Sequence, residues 1–173
     1  AGLVRDFKQY FIRHGEPVSE NPSPGNIAGG ITTLEEKSLG AVQKGGQAPV
    51  VDVQPYGGEA TLPGLTLLEA PGNDAVSSTA LTAAGATIIL FTTGRGTPMG
   101  FPAPTLKIAS NAALAERKTG WIDFDAGQVL TKGFEAASEA LLDLIAATAS
   151  GAETRAEANE ERDIAIWKSG VTL

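Results

Sequence analysis

The stretch LTLLEAPGNDAVSSTALTAAGATIILFT, residues 65–92, decides the predicted fold. Its two ends, residues 65–70 and 87–92, are short apolar runs that predict strands, and the second run is typical of a strand buried on both faces. Between them, the Pro-Gly-Asn-Asp turn at 71–74 leads into an Ala- and Ser/Thr-rich segment that predicts a helix over residues 75–84. A strand, a helix and a second strand of this length form a βαβ unit, with a right-handed crossover and parallel strands.

Patterns on both sides of this unit extend the same architecture. Apolar runs predict three more strands, at residues 49–53, 105–109 and 121–124. The helical spacing of apolar residues predicts four more helices, at residues 3–13, 33–44 and 111–118 and from Phe134 to a stop at Gly151. We therefore expect an α/β fold, with a mainly parallel sheet of four or five strands and flanking helices in a Rossmann-like, three-layer arrangement.

Composition limits the classes of protein to consider. The 173 residues suit one domain, 1–173, and 42% of them are hydrophobic, so the chain can bury a core. The net charge of −7 argues against nucleic acids and anionic membrane surfaces as partners, since both require basic patches. The chain has no apolar run long enough to cross a bilayer, no secretion signal and no cysteine. We expect a cytoplasmic protein.

A shaped loop occupies the first half of NPSPGNIAGGITTLEEKSLG, residues 21–40. Its first ten residues include two prolines and three glycines, a composition that disfavours regular elements. Thr32 with Glu35, or Thr33 with Glu36, then has the spacing of a capping box at a helix start. The loop therefore leads to a helix N-terminus, where free amide donors and the helix dipole favour an anionic group. The alternative is that these residues only build turns and a cap.

A second candidate site follows the strand at residues 87–92. Gly94, Arg95 and Gly96 lie just past its carboxyl end, the edge of an open α/β sheet where ligands bind. A guanidinium holds a carboxylate through two parallel hydrogen bonds, and Thr92, Thr93 and Thr97 would add hydroxyl donors, so an acid is the expected ligand. Arg95 could instead pair with Asp74 or with a loop carbonyl.

Two further groups of polar residues follow predicted strands. Asn73 and Asp74 open the helix after residues 65–70, either as its cap or as ligand contacts, and we expect them to lie near Arg95 because neighbouring parallel strands end at one edge. Asp123 and Asp125 flank Phe124, and the alternation of side chains along a strand places both carboxylates on the same side of the chain. They could bind a divalent cation or share a proton, although a solvated turn would look the same.

Three expectations concern residues outside these sites. The Glu-rich piece at 153–162 should be exposed, and Ile164, Ile166 and Trp167 should anchor the tail. Lys44 and Lys107 should be exposed surface lysines. His14, at the end of the first helix, should act there as a partner of the helix dipole.

Five segments together resemble the altronate dehydratase and D-galactarate dehydratase family of sugar-acid dehydratases. They occur in the family's order and cover most of the chain: residues 21–40, 70–76, 91–98, 121–127 and 168–173. Within the family, the segments at 41–46 and 84–86 look closer to the galactarate branch, because cysteines are expected at both places in the altronate branch. The resemblance implies that the chain is the C-terminal fragment of a longer sugar-acid dehydratase.

The resemblance also implies a reaction, a metal cofactor and protein partners. A hydro-lyase of this family removes the proton next to a carboxylate and expels the β-hydroxyl from a sugar acid such as D-galactarate. It implies a divalent metal, Fe²⁺, with most ligands outside this chain, together with N-terminal domains of the same protein and a homo-oligomer. Two alternatives are a sulfo-lyase acting on sulfolactate and a non-catalytic module for sugar-acid binding or dimerisation.

We assign hypothetical roles on these grounds. The predicted catalytic residues are Glu36, Lys37, Asp74 and Arg95. The predicted substrate-binding residues are Asn21, Ser23, Asn26, Gly29, Gly30, Thr32, Thr33, Asn73, Thr93, Gly94, Gly96 and Thr97. The predicted metal ligands in this chain are Asp123 and Asp125.

Overall fold

A computed structural model describes residues 2–18 and 22–168. Asn21, one of the predicted substrate-binding residues, lies outside the described residues, as do residues 169–173. The chain divides into two compact units. The first comprises Ala1–Val53, Thr61–Glu69 and Lys168–Leu173, and the second comprises Gln54–Ala60 and Ala70–Trp167. Their organisation as one domain stays a prediction.

The first unit contains three helices and a two-stranded sheet. The helices are α1 (Gly2–Arg13), α2 (Pro24–Ala28) and α3 (Leu34–Lys44), and the strands are β1 (Val50–Gln54) and β2 (Leu65–Leu68). The amphipathic pattern of α1 and the capping signal before α3 predicted both long helices correctly. Helix α2 lies in the segment predicted to be an irregular loop. Pro24 stands at its start, where the missing N–H of proline costs no hydrogen bond.

The second unit is built on a three-stranded parallel sheet. Its strands are β3 (Ile89–Thr93), β4 (Thr105–Ala109) and β5 (Phe124–Asp125), with β4 in the middle. Five helices accompany them: α4 (Asp74–Ala83), α5 (Ala112–Arg117), α6 (Val129–Lys132), α7 (Phe134–Ala149) and α8 (Arg155–Ala158), with a 3₁₀ turn at Ala126–Gln128. The predicted α/β class is confirmed.

The core of the second unit surrounds β4. All five of its residues are buried, as expected for a central parallel strand. On one side, Ile89 clusters with Phe101 and Ala103. Another cluster joins Ala109, Leu114 and Ile122, so helix α5 packs through Leu114 next to the carboxyl end of β4.

The strands lie in two sheets, and the predicted pairing within the βαβ unit is wrong. β2 pairs with β1, whereas β3 pairs with β4, so the strands at the two ends of residues 65–92 belong to different sheets. The apolar pattern identified the strands but not their partners. β4, the observed partner of β3, is buried at every position, whereas β2 has no fully buried residue.

The prediction for Lys107 is also wrong. Its side chain is fully buried in β4, and its Nζ lies 2.5 Å from Oε2 of Glu161. The Glu-rich segment that contains Glu161 is therefore only partly exposed. Thr154 and Ala156 are buried at the start of α8, where Thr154 and Glu157 form a capping box. A charge buried in a strand is rare unless it is paired, and its partner here is 54 residues away.

The tail is anchored by an aromatic contact. Trp167 is half-buried against Tyr56, with ring centroids 5.4 Å apart, and its backbone N–H donates to the tyrosine hydroxyl at 2.9 Å. The predicted anchoring by Ile164 and Ile166 is wrong, since these side chains are 68% and 75% exposed. Lys44 is exposed, as predicted. Among the described helices, none combines the length and the apolar character needed to cross a bilayer.

Candidate functional site

The carboxyl ends of the three parallel strands lie level with one another. Thr93 of β3 is in register with Ala109 of β4, which is in register with Asp125 of β5. The loops that leave these strands therefore start side by side, as in the ligand-binding edge of open α/β sheets. Within the second unit, this edge is the candidate site.

The loop after β3 has a fixed backbone and an exposed arginine. Thr93 Oγ1 accepts a hydrogen bond from the Gly96 N–H at 2.9 Å. Gly96 has a φ of +84°, and a side chain there would also press against Leu114, so glycine is required at this turn. Thr97 Oγ1 accepts from the Met99 N–H at 3.4 Å. Arg95 is exposed between the two glycines.

Two residues of this edge were missed by sequence reasoning. Ser110 follows β4, and its backbone N–H donates to the Thr93 carbonyl at 2.9 Å. Asn111 caps α5 by accepting from the Leu114 N–H at 2.9 Å, while its Nδ2 lies 3.5 Å from the Gly94 carbonyl oxygen. The signal was present, since Ser-Asn before a helix is a typical cap. The helix predicted over residues 111–118 included Asn111, and Ser110 had no predicted role.

The loop after β5 approaches the start of α5 closely at Gly127. A Cβ on Gly127 would lie 2.6 Å from the backbone nitrogen of Ala112 and 2.9 Å from Oδ1 of Asp125. Asp125 also accepts the Gly127 N–H at 2.8 Å, so the aspartate holds the turn. We conclude that the edge of β5 is positioned by backbone contacts that only glycine allows.

Replacing Gly127 with alanine is expected to destabilise the protein by about 1–3 kcal/mol, because rigid backbone atoms must move apart. Urea denaturation measures the change in unfolding free energy. The control is Gly120→Ala, at a glycine whose Cβ would meet nothing within 4 Å. Equal stabilities for the two variants would contradict the close approach.

Asp123 is committed to backbone hydrogen bonds. Its Oδ2 accepts from the Lys107 N–H at 2.7 Å and its Oδ1 from the Arg155 N–H at 2.8 Å. The carboxylate thereby joins β4 to the start of α8. These contacts favour a structural role for Asp123, and its assignment as a metal ligand stays a prediction.

A divalent metal needs more ligands than Asp123 and Asp125 offer. Such ions take several oxygen or imidazole ligands, whereas Asp123 and Asp125 already accept backbone N–H groups. Residues 2–18 and 22–168 contain no group of three or more His, Cys, Asp or Glu side chains arranged to hold a metal. The two aspartates therefore do not fit a complete metal centre formed by the described residues.

Asn73 caps helix α4. Its Oδ1 accepts from the N–H groups of Ala75 and Val76, both at 3.1 Å, and Asp74 is exposed in the first helical turn. We expected these residues near Arg95 because β2 and β3 would be neighbours in one sheet. That reason fails, since the two strands lie in different sheets. The proximity of Asp74 and Arg95 stays a prediction.

In the first unit, Asn26 joins α2 to α3. Its Oδ1 accepts from Nζ of Lys37 at 3.1 Å and from Oγ of Ser23 at 2.9 Å. Gly29 ends α2, and Gly30 follows with a φ of +94°, which favours glycine. The structure therefore brings three of the predicted residues, Ser23, Asn26 and Lys37, into one cluster.

The capping box of α3 is formed by Thr33 and Glu36. Thr33 Oγ1 accepts the Glu36 N–H at 3.1 Å, and Glu36 Oε2 accepts the N–H groups of Thr33, at 3.3 Å, and Thr32, at 2.9 Å. The Thr32 hydroxyl donates to the same oxygen at 3.0 Å. Hydrogen bonds from the backbone and then the hydroxyl of Thr32, and from the Thr33 backbone, lower the pKa of Glu36 from its ordinary value of 4.5. A lowered pKa makes a carboxylate a weaker base, which favours the capping role.

These contacts give the stability of the protein a pH dependence. The pKa of Glu36 is below 4.5 in the folded state. The stabilisation that these hydrogen bonds give is therefore complete above pH 4.5 and is lost as the pH falls through the lowered pKa. We expect Glu36→Gln to flatten the fall in unfolding free energy over this acidic range, measured by urea denaturation at several pH values. The control is Glu35→Gln, which removes a charge from the same helical turn. If the unfolding free energy of Glu36→Gln falls with pH as steeply as that of the wild type, Glu36 is not the source of the pH dependence.

His14 lies just beyond α1 and contacts the end of that helix. Its Nδ1 is 2.7 Å from the Tyr10 carbonyl oxygen, and its ring lies 4.5 Å from the Tyr10 ring. A histidine in contact with one of the last helical carbonyls interacts favourably with the helix dipole, as expected from the sequence.

Comparison with known proteins assigns the family. A family model described as D-galactarate/Altronate dehydratase, C-terminal, matches residues 1–172. The chain belongs to this family. The family predicted by the resemblance is confirmed.

Individual relatives agree with the family match. The chain is 57% identical over 172 residues to altronate dehydratase of Escherichia coli (strain K12) and 54% identical over 173 residues to altronate dehydratase of Bacillus subtilis (strain 168). Each alignment covers 99% of this chain and 35% of the relative. Galactarate dehydratase (L-threo-forming) of Escherichia coli (strain K12) is 42% identical over 114 residues, 65% of this chain and 22% of the relative. The chain thus spans about a third of the altronate dehydratases that it matches.

The identities bear on the branch within the family. The two short segments of the sequence indicated the galactarate branch, but identity is higher, and over more of the chain, with the altronate dehydratases. Residues 41–46 and 84–86 are therefore too short to assign the substrate.

Proposed function

We propose that this chain forms the C-terminal, substrate-holding part of a dehydratase acting on a sugar acid, with altronate as the first substrate to test and galactarate as the second. The observation that carries the proposal is the family match over residues 1–172, with 57% identity to an altronate dehydratase over nearly the whole chain. The exposed Arg95 at the level ends of three parallel strands supports it.

The proposed reaction removes a proton from the carbon next to the carboxylate and expels the hydroxyl group from the following carbon. The first step needs a base and positive groups that stabilise the enediolate, and the second needs an acid at the leaving oxygen. In this proposal, Arg95 binds a carboxylate of the substrate through paired hydrogen bonds. Thr93 and Gly96 position Arg95, because the hydrogen bond between them closes the turn that carries it.

The other predicted catalytic residues and metal ligands have different parts in this proposal. Asp74 is exposed at the start of α4 and stays a candidate for proton transfer. Glu36 and Lys37 are engaged within the first unit by the Thr32–Thr33 cap and by Asn26, and we propose that they shape the loop at residues 22–30 more than they react. Asp123 and Asp125 accept hydrogen bonds from backbone N–H groups and take no part in the proposed proton transfers.

Other parts of the complete enzyme belong to the same proposal. We propose that a divalent metal, Fe²⁺, is held mainly by residues outside this chain, because the described residues do not form a complete centre. We further propose that the complete protein is a cytoplasmic homo-oligomer in which N-terminal domains supply the missing groups. The chain by itself is then expected to be inactive.

The test is a chimaera in which this chain replaces the matching C-terminal segment of Escherichia coli altronate dehydratase. We expect the chimaera, supplied with Fe²⁺, to dehydrate altronate or galactarate, detected as the 2-keto-3-deoxy acid product. The chain alone should give no product with either acid. Circular dichroism confirms that both proteins are folded.

Several outcomes would contradict the proposal. Comparable dehydration by the chain alone would show that the N-terminal part is unnecessary. Release of sulfite from sulfolactate, without dehydration of either sugar acid, would assign the chain to a sulfo-lyase. A folded chimaera that binds sugar acids without turnover would indicate a binding module.

A further inference from the structure

The first unit exposes apolar side chains of its two-stranded sheet. Val50, Val51 and Val53 of β1 are 48%, 42% and 50% exposed, and Leu67 of β2 is 47% exposed. Side chains alternate along a strand, so Val51 and Val53 share one face, whereas Val50 shares the other with Asp52 and Gln54. A sheet with an apolar face buries that face against another element, so the exposed face of Val51 and Val53 indicates a missing packing partner.

Helix α1 shows the same lack of burial. Phe7 and Phe11 pack edge to face with ring centroids 5.2 Å apart, and Tyr10 packs against Phe11 at 5.8 Å. None of the three is buried, and neither is any other residue that the structure describes in the first unit. A two-stranded sheet is marginally stable without packing partners. The first unit therefore has the elements of a layered fold without the burial that stabilises one.

The relatives suggest what covers these faces. The altronate dehydratases contain this segment as 35% of their length, and the family model describes a C-terminal segment. About two-thirds of each relative is therefore additional polypeptide that is covalently joined to the segment. Such a tether gives an effective concentration in the millimolar range, which favours contact with this polypeptide over contact with a second copy.

We propose that β1, β2 and α1 form a docking surface for the polypeptide that precedes this segment in its relatives. The partner has an apolar surface that covers the valines of β1, and it includes a strand that adds to an outer edge of the two-stranded sheet. The first unit is thus completed by the rest of the enzyme. This inference rests on family membership and does not depend on which acid is the substrate.

The test compares amide hydrogen exchange in the chimaera with exchange in the chain alone. In the chimaera, we expect the amides of residues 50–54 and 2–13 to exchange more slowly by about tenfold or more, because they open only when the docked surfaces separate. The amides of β4 are the internal reference, since β4 is buried within the second unit. Its exchange should be similar in the two proteins.

Variants of the chimaera make the test independent of the isolated chain. Val51→Gln with Val53→Gln is expected to restore fast exchange at residues 50–54. The matched control is Leu142→Gln, at a side chain that is 65% exposed on α7 of the second unit, which should leave that exchange slow. Equal exchange in the two variants would overturn the proposal.

Three other results would also overturn it. Fast exchange of residues 50–54 in the unsubstituted chimaera would show that no partner covers them. Slow exchange in the chain alone at low concentration would show that this chain covers its own valines. Exchange that slows only as the concentration of the isolated chain rises would assign the surface to a second copy.

Discussion

Replacement of Lys107 by methionine is expected to lower the free energy of unfolding by about 3–5 kcal/mol, the usual result of removing one partner from a buried ion pair. Methionine fills a similar volume, so the loss comes chiefly from the Glu161 carboxylate, which stays largely buried without its cation. Urea denaturation of the whole chain measures the change. The effect is large because the Lys107 side chain is fully buried. Water therefore cannot take the place of the lysine ammonium beside the Glu161 carboxylate.

A double variant separates charge from packing. Lys107→Met combined with Glu161→Leu removes both charges and is expected to recover most of the lost stability, since an apolar pair can replace a buried ion pair at little cost. Lys132→Met, at an exposed lysine, is the control and should change stability by less than about 0.5 kcal/mol. A loss of under about 1 kcal/mol in Lys107→Met would contradict a structural ion pair.

The local pattern of the sequence predicts the individual elements well. The strand at residues 105–109 has the bounds that its apolar run predicts, because Pro104 precedes it and Ser110 and Asn111 follow it with turn and cap signals. Helix α3 begins where the Thr33–Glu36 spacing indicates. In both cases, the deciding interactions join residues only a few positions apart.

Partners distant in sequence could not be predicted in this way. Lys107 meets Glu161 across 54 residues, and Asp123 binds the N–H of Arg155 across 32 residues. Nothing local distinguishes a lysine that will be buried from one on the surface, or an aspartate that will hold backbone groups from one that will bind a metal. The assignment of β2 to β1 depends in the same way on contacts that no short pattern encodes.

The candidate site could be predicted from the sequence only in part. Arg95 could be placed at the sheet edge because a strand followed by glycine, arginine and glycine predicts both the edge and the open turn. The predicted burial of this strand on both faces is wrong, since only Ile89 of β3 is buried and Leu90 is 48% exposed. Ser110 and Asn111 join it only because β4 is the neighbour of β3, which the sequence did not reveal. The position of the edge was thus predicted from one strand. The residues that line it could be identified only from the pairing of the strands.

Replacement of Arg95 by methionine in the chimaera is expected to lower kcat/KM by a factor of about 100 or more. Two hydrogen bonds between a guanidinium and a carboxylate contribute about 3 kcal/mol or more, and each 1.4 kcal/mol corresponds to about tenfold in rate. Arg95→Lys should recover part of the activity, because an ammonium keeps the charge but cannot form the paired contact. Initial rates with altronate and galactarate measure the effect.

The stability of Arg95→Met distinguishes this role from a structural one. An exposed side chain can be truncated with a change in stability of less than about 0.5 kcal/mol, so Arg95→Met should unfold at the wild-type urea concentration while losing activity. Arg117→Met, at an exposed arginine of α5 in the same unit, is the control and should retain both activity and stability. If folded Arg95→Met keeps kcat/KM within about threefold of the wild type, the substrate carboxylate is bound elsewhere, since so small a loss is under about 1 kcal/mol.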